Sequence, residues 1–319
     1  MTERRRPLLK PWYRIAREED RIVLEYAQSV VVFEGRAAAR LLPSLLPLLD
    51  GSRTREDVLN SFDETARPGA GHALATLERH GLVCEGPALA GLAPAERGTA
   101  ELLASLADGE PRAVRTRLEE CRVAVLGASP AADELERVLQ ESGLADTARL
   151  ASWSSEPARD LTLVAPCGSE LPCLPAWNER ALETGRPWLQ LLPFDGRAVV
   201  VGPAYVPGET GCYECYLRRR ASIVDYPDEL RLVERLEAPY PTTPALDRLA
   251  AGIAALAALR WLTGGDDLLP GFLYLVEADE TLGVSGHVLY RVPRCPVCGR
   301  VGGATAPPLP WHDAVVHAR

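Results

Sequence analysis

Two Cys-x-x-Cys pairs constrain this chain more than any other feature: Cys212-Tyr213-Glu214-Cys215 and, eighty residues on, Cys295-Pro296-Val297-Cys298. Each pair has the spacing that lets two thiolates converge on one ion, and two pairs supply the four soft ligands of a closed tetrahedral zinc site. A chain that builds such a site must close a long loop to bring the pairs together. Four thiolates leave no open coordination position, so zinc at Cys212, Cys215, Cys295 and Cys298 is expected to hold structure rather than to activate water. The competing reading is a pair of redox dithiols. Such a dithiol normally opens a helix, whereas the second pair follows a strand-like run, Val284 to Val292, and precedes Gly299, as in a metal-binding knuckle. Cys84, Cys121, Cys167 and Cys173 lack pair spacing and read as small buried hydrophobes. Cys167, near the end of a strand, is the residual nucleophile candidate, with no identifiable base.

At 319 residues, 47% of them hydrophobic, the chain has enough apolar material for two domains. A net charge of −9 argues against a general nucleic-acid binder, and Arg4-Arg5-Arg6 and Arg218-Arg219-Arg220 read as solvated faces. The longest apolar stretch, Leu249 to Leu262, is broken by Arg260 and falls short of the roughly 20 residues that span a bilayer. No apolar segment follows the Arg-rich opening before Pro11, so no export signal is expected, and metal-type cysteine spacing then points to the cytoplasm.

Residues 1–87 have their own pattern. Leu8 to Ala16, Arg21 to Tyr26 and Ser29 to Phe33 read as strands; Arg36 to Leu49, Thr54 to Phe62 and Gly71 to His80 as helices; Leu82 to Cys84 returns as an extended segment. Together these predict a small winged-helix (α+β) unit. Its third helix offers mostly Ala, Leu and Thr, which lack the donors and acceptors that read bases. The run Val30-Val31-Val32-Phe33 suits either a core strand or an open edge that takes an added peptide strand, and periodicity does not choose.

The order Leu8-Leu9-Lys10-Pro11, a β-run ending near Gly35, then Leu48-Leu49-Asp50-Gly51-Ser52-Arg53-Thr54-Arg55-Glu56-Asp57-Val58 resembles the PqqD-like element that captures leader peptides of ribosomally made natural products. The resemblance implies that a leader lies between the third strand and the third helix. Here that means Val30, Val31, Val32 and Phe33 on one side and Leu74 and Leu77 on the other.

Residues 88–120, rich in Ala, Gly and Pro, are expected to form a linker with one short helix. From Cys121 the chain alternates: Val123 to Gly127 as a buried strand, Ala131 to Glu141 as a helix, Leu161 to Ala165 as a strand, Leu174 to Thr184 as a helix, then Pro187 to Leu192 and Ala198 to Val201 as strands. Residues 121–319 are therefore predicted to be a Rossmann-like, mostly parallel α/β domain. Its glycine loop is incomplete. A Gly-x-Gly-x-x-Gly fingerprint needs glycine at 127, 129 and 132, and the chain has Gly127, Ser129 and Ala132, with Pro130 removing an amide donor. No ATP is expected there.

Gly202-Pro203, Val206-Pro207-Gly208-Glu209-Thr210-Gly211 and the paired cysteines resemble the ThiF, or ubiquitin-activating-like, superfamily, whose active members adenylate a carboxyl terminus with ATP and magnesium. This chain departs from them at the glycine loop and at Val164-Ala165-Pro166-Cys167, where a magnesium-binding aspartate is expected. The whole arrangement resembles the partner subunit of azoline-forming cyclodehydratases, with no catalytic residue of its own. The resemblance implies two partners, a precursor leader peptide and a YcaO enzyme that uses ATP, and a homodimer as a further association. The alternative is a living adenylating enzyme of the sulfur-carrier or microcin type.

Overall fold

The computed structural model describes residues 5–154, 158–234, 236–238, 241–264, 269–278 and 282–300. The chain divides into two compact units at Arg117/Leu118.

In the first unit, β1 (Pro7–Leu9) pairs antiparallel with β5 (Val83–Glu85). A separate antiparallel sheet has the order β2 (Arg14–Arg17), β3 (Arg21–Tyr26), β4 (Ser29–Glu34). The expected strand Leu8 to Ala16 is thus two strands serving two sheets. Pro11, which has no N–H to donate to a ladder, lies in the turn between them. Helices α1 (Arg36–Leu45), α2 (Arg55–Asn60) and α3 (Arg67–Arg79) complete the unit. The expected helix Arg36 to Leu49 ends at Leu45 and continues as a 3₁₀ turn, Leu46–Leu48. Thr54 and Asp57 form a reciprocal cap on α2, each satisfying the other's backbone amide. The α3 helix begins four residues earlier than expected, because Pro68 sits in the first turn, where a missing N–H costs nothing. Ile22, Leu24, Leu42, Leu45, Val58, Leu74 and Leu77 form the core of this unit.

Residues 88–120 carry two helices rather than one, α4 (Pro94–Leu106) and α5 (Pro111–Glu120). On α4, Ala100, Leu103 and Ala104 recur at helical spacing and are buried, a face that the overall Ala/Gly/Pro composition concealed.

The second unit is built on one seven-stranded sheet in the order β12-β11-β10-β9-β8-β6-β7. Its strands are β6 (Arg122–Leu126), β7 (Asp146–Arg149), β8 (Leu161–Val164), β9 (Trp188–Leu192), β10 (Ala198–Tyr205), β11 (Phe272–Glu277) and β12 (Val284–Val288). β7, β6, β8 and β9 run parallel; β10, β11 and β12 are each antiparallel to their neighbour. Five of the seven strands therefore point the same way, with β10 and β12 reversed. β10 runs past the expected end at Val201: the register shifts between Val201 and Ala204, and this irregularity accommodates Gly202-Pro203 inside a strand.

The helices of this unit are α6 (Pro130–Glu141), α7 (Leu174–Thr184), α8 (Tyr213–Ala221), α9 (Pro227–Val233) and α10 (Pro244–Leu262). α10 starts at a Thr243 cap and buries Ala250, Ala251, Ala254, Ala255, Ala257 and Ala258, small side chains that let it approach α6 and strands β9 and β10 closely. Leu249 and Leu256, two turns apart, remain exposed on it. Among the described residues no helix is long and apolar enough to cross a membrane.

Candidate metal centre and peptide edge

The four paired cysteines meet. Cys212 is the residue before α8 and Cys215 lies in its first turn; Cys295 and Cys298 lie in the knuckle after β12. All four are buried and their sulfurs lie within 4.8 Å of one another. Sulfur separations are 3.9 Å for Cys212–Cys215, 3.8 Å for Cys212–Cys295 and 3.6 Å for Cys215–Cys298. A regular tetrahedron of sulfurs about 2.3 Å from zinc has an edge of about 3.8 Å, so this donor set fits a thiolate-ligated ion in both chemistry and spacing. The site can bind a metal such as zinc.

Each half of the cluster is fixed by its own backbone. Cys212 offers no side-chain cap to α8; instead Asn178, buried on α7, accepts the Tyr213 amide through Oδ1 at 2.9 Å. The knuckle closes with Cys295 N–H donating to Val292 O at 3.1 Å and Gly299 N–H donating to Cys295 O at 2.9 Å. Arg291 donates to the Cys298 carbonyl. The Val292 amide points at Cys215 Sγ at 3.4 Å, the kind of donor that stabilises a metal-bound thiolate. Thiol hydrogen bonds from Cys212 and then Cys298 pull the Cys215 thiol below its ordinary range, the direction that favours a metal-binding thiolate.

At the carboxyl ends of the parallel strands, Gly127 is where the glycine loop begins. Its φ is +118°, and a Cβ there would stand 2.1 Å from Ala165 O, so the glycine is required by the close approach of β6 and β8. Ser129 caps α6, accepting from Ala132 N at 3.2 Å and donating to Ala165 O at 2.8 Å. Glu170 reaches back into this crevice. Its Oε2 accepts the amides of Ala128 at 2.7 Å and Cys167 at 2.9 Å, and its Oε1 accepts the Trp153 indole N–H at 3.0 Å. Burial alone would push this carboxyl up; the backbone bonds from Ala128 and Cys167, with Trp153, outweigh it and hold the acid below its usual range. Cys167 itself lies 3.1 Å from Ser169 Oγ.

In the first unit, the expected peptide-facing residues separate into two groups. Val30, Val31, Val32 and Phe33 lie on β4, an edge strand that among the described residues has a strand partner on one side only. Val31 and Phe33 turn inward against the core, while Val30 and Val32 are 58% and 44% exposed. β3 and β4 are joined by the two-residue turn Ala27-Gln28, with Tyr26 opposite Ser29. The closing pair of such a hairpin exchanges both hydrogen bonds, and bonded and non-bonded pairs alternate along the ladder. Val31 and Phe33 therefore pair with β3, and the backbone groups of Val30, Val32 and Glu34 face the open side.

Leu74 and Leu77 do not belong to that surface: both are fully buried, because they are the two large apolar residues on the inner face of α3. Ala73 and Thr76 are among the residues that α3 leaves half-buried, and His80 beyond its end meets the Phe33 ring edge-on at 6.0 Å. The residues that sequence reasoning missed are Asn178 and Glu170. The one local signal was Glu170 standing three positions after the start of a turn, the spacing of a reciprocal cap.

No protein-family model matches this chain, and no curated protein matches it. Solved structures do. A structure of the heterocyclase TruD matches 92% of this chain with a TM-score of 0.72 and 23% identity, over 43% of its own length. A heterocyclase in complex with substrate and cofactor matches the same share at 0.72 and 21%, over 39% of its length. E. coli MccB with ATP matches 92% of this chain at 0.62 and 16%, over 99% of its length. The chain thus spans less than half the length of the two heterocyclases. It has the fold of the heterocyclase TruD over that part, and of E. coli MccB.

Proposed function

We propose that this chain is the leader-binding adaptor of a cyclodehydratase that installs thiazoline or oxazoline rings in a ribosomally made peptide, working with a separate YcaO enzyme that uses ATP. Residues 1–87 are read as the PqqD-like winged-helix recognition domain, 88–120 as the connection, and 121–319 as the ThiF-like domain with structural zinc. The observation that carries the reading is the difference between the two edges of the first unit's sheet. β2 reads Arg-Ile-Ala-Arg, with charged residues that discourage another strand from pairing. β4 reads Ser-Val-Val-Val-Phe-Glu and leaves exposed valines beside outward-facing backbone groups. An added peptide strand would satisfy those groups, and its alternate side chains would pack near Phe33, Ala73 and His80. Val30, Val31, Val32 and Phe33 are the residues proposed to hold it. Leader capture would raise the effective concentration of the core peptide at the partner enzyme.

A second reading, an ATP-dependent adenylating enzyme, is favoured by the full-length match to MccB with ATP. Ser129 and Pro130 in the loop, and the Glu170 carboxylate within it, weigh against it.

The test is fluorescence anisotropy of a labelled leader from the precursor peptide encoded beside this gene. Saturable binding is expected, at least about tenfold weaker for Val32→Pro, which removes an outward amide where an edge strand tolerates proline. Failure of the native chain to bind sinks the leader-capture reading, and ATP–pyrophosphate exchange then decides the adenylating one.

A further inference from the structure

In a doubly wound sheet the crevice outside the carboxyl ends of the strands, where strand order reverses, is where ligands enter. Here β6 is followed in sequence by β7 on one side of it and then by β8 on the other, so the crevice lies at the Gly127 loop and the Cys167 turn. In this chain that crevice is filled by the chain itself. Glu170 collects the amide at the end of β6, the amide beyond β8 and an indole N–H beyond β7, three donors converging on one carboxylate. A phosphate group would need the same kind of donors at the same place.

Two further contacts close the crevice around that carboxylate. Arg149, at the end of β7, donates to the Gly127 carbonyl and is held by Asp133 at 3.1 Å and Glu136 at 3.5 Å, so its charge is spent within the loop. From the other side, Ala238 N–H donates to Gly168 O at 3.1 Å. A Cβ on Gly168 would stand 1.6 Å from the Ala238 carbonyl oxygen, so the segment 236–238 lies directly on the turn that carries Glu170.

We propose that Glu170 is a built-in anion at the phosphate position of this fold, an intramolecular occupant that closes the crevice to nucleotide. The departure from a nucleotide-binding loop is then the exchange of an external anion for an internal one, beyond the loss of glycines. A tethered carboxylate competes at high effective concentration, and an external anion must displace it and break its three bonds. Removing the carboxylate leaves the Ala128 and Cys167 amides and the Trp153 indole without their acceptor, and the crevice becomes an anion site. This inference does not rest on leader binding, which concerns β4 in the other unit.

The experiment is a calorimetric titration of inorganic tripolyphosphate, and separately of ATP, into the full-length native chain and into Glu170→Ala. Metal content and circular dichroism verify that the variant is folded. The expected result is a saturable tripolyphosphate site in the variant, at least about tenfold tighter than in the native chain, a difference of about 1.4 kcal/mol. A Trp153→Phe change added to Glu170→Ala should weaken that site, because it removes one of the three donors. Should Glu170→Ala not fold, the same titration on Glu170→Gln serves, with a smaller gain expected because the amide keeps the size and loses the charge. Native protein binding tripolyphosphate as tightly as the variant overturns the proposal, and so does a folded variant with no gain. Tripolyphosphate binding without ATP binding supports the internal-anion assignment and locates the exclusion of nucleotide in the base and sugar positions.

Discussion

Asn178 Oδ1 accepts the amide of Tyr213 at 2.9 Å, and both residues are buried, so a side chain on α7 holds the first turn of the helix that presents Cys212 and Cys215. Asn178→Ala removes this buried hydrogen bond and should cost about 0.5–1.5 kcal/mol in urea unfolding. It should also speed loss of metal to a chromogenic chelator, a readout that a loss of packing remote from the cysteines leaves unchanged.

The cysteine cluster makes a stoichiometric prediction. The native chain should carry about one zinc, by elemental analysis, because four ligands at one centre hold one ion. Cys215→Ser or Cys298→Ser should reduce this to near zero and lower the melting temperature, since metal bound only by the folded state stabilises it. A native chain that purifies with oxidised, metal-free pairs would instead favour the redox reading.

The open edge of β4 can be closed by one exposed substitution. Val32 is 44% exposed, so Val32→Lys should change folding stability by less than about 0.5 kcal/mol. A lysine beside the outward backbone groups discourages strand addition. Leader binding should weaken while the urea midpoint stays in place, and a parallel fall in both would mean the residue acts through the fold.

Leu74 gives the opposite pattern. It is fully buried in the first unit, so Leu74→Ala should cost about 2–5 kcal/mol. Any loss of leader binding in that variant should track the unfolded fraction and recover as temperature is lowered.

The pH dependence of Glu170 has a definite sign. Its acid is held below the ordinary range in the folded chain, so its contribution to stability is complete above the unfolded-state value and is lost as pH falls through the lower, folded value. The stability difference between the native chain and Glu170→Gln should be full at neutral pH and shrink in that acidic window, measured by denaturant melts at matched ionic strength.

How much of this was legible in the sequence depended on whether the signal was local. The cysteine pairs announced their own meeting because spacing within each pair is set by one turn of backbone. The strand Ser29–Glu34 was legible as a strand, but four consecutive apolar residues look alike whether the next neighbour is a strand or solvent. On α3, leucines in a field of alanine were the largest apolar groups on the helix, and that is the reason they went to the core instead of to a ligand. β7, Asp-Thr-Ala-Arg, has no hydrophobic alternation, because it closes an edge and is half-exposed along its length. Glu170 and Ala128 are 42 residues apart, and nothing in either neighbourhood reports the other.

The joining of Cys212 and Cys215 to Cys295 and Cys298 also has a mechanical meaning. With a metal in place, the cluster closes a ring whose perimeter is the chain from Tyr216 to Arg294, including α9, α10, β11 and β12. Tension applied between the two ends of the polypeptide would pass through the thiolate bonds and bypass that ring. The elements inside it would stay slack while the rest of the molecule was drawn out, and would extend only after the ion let go.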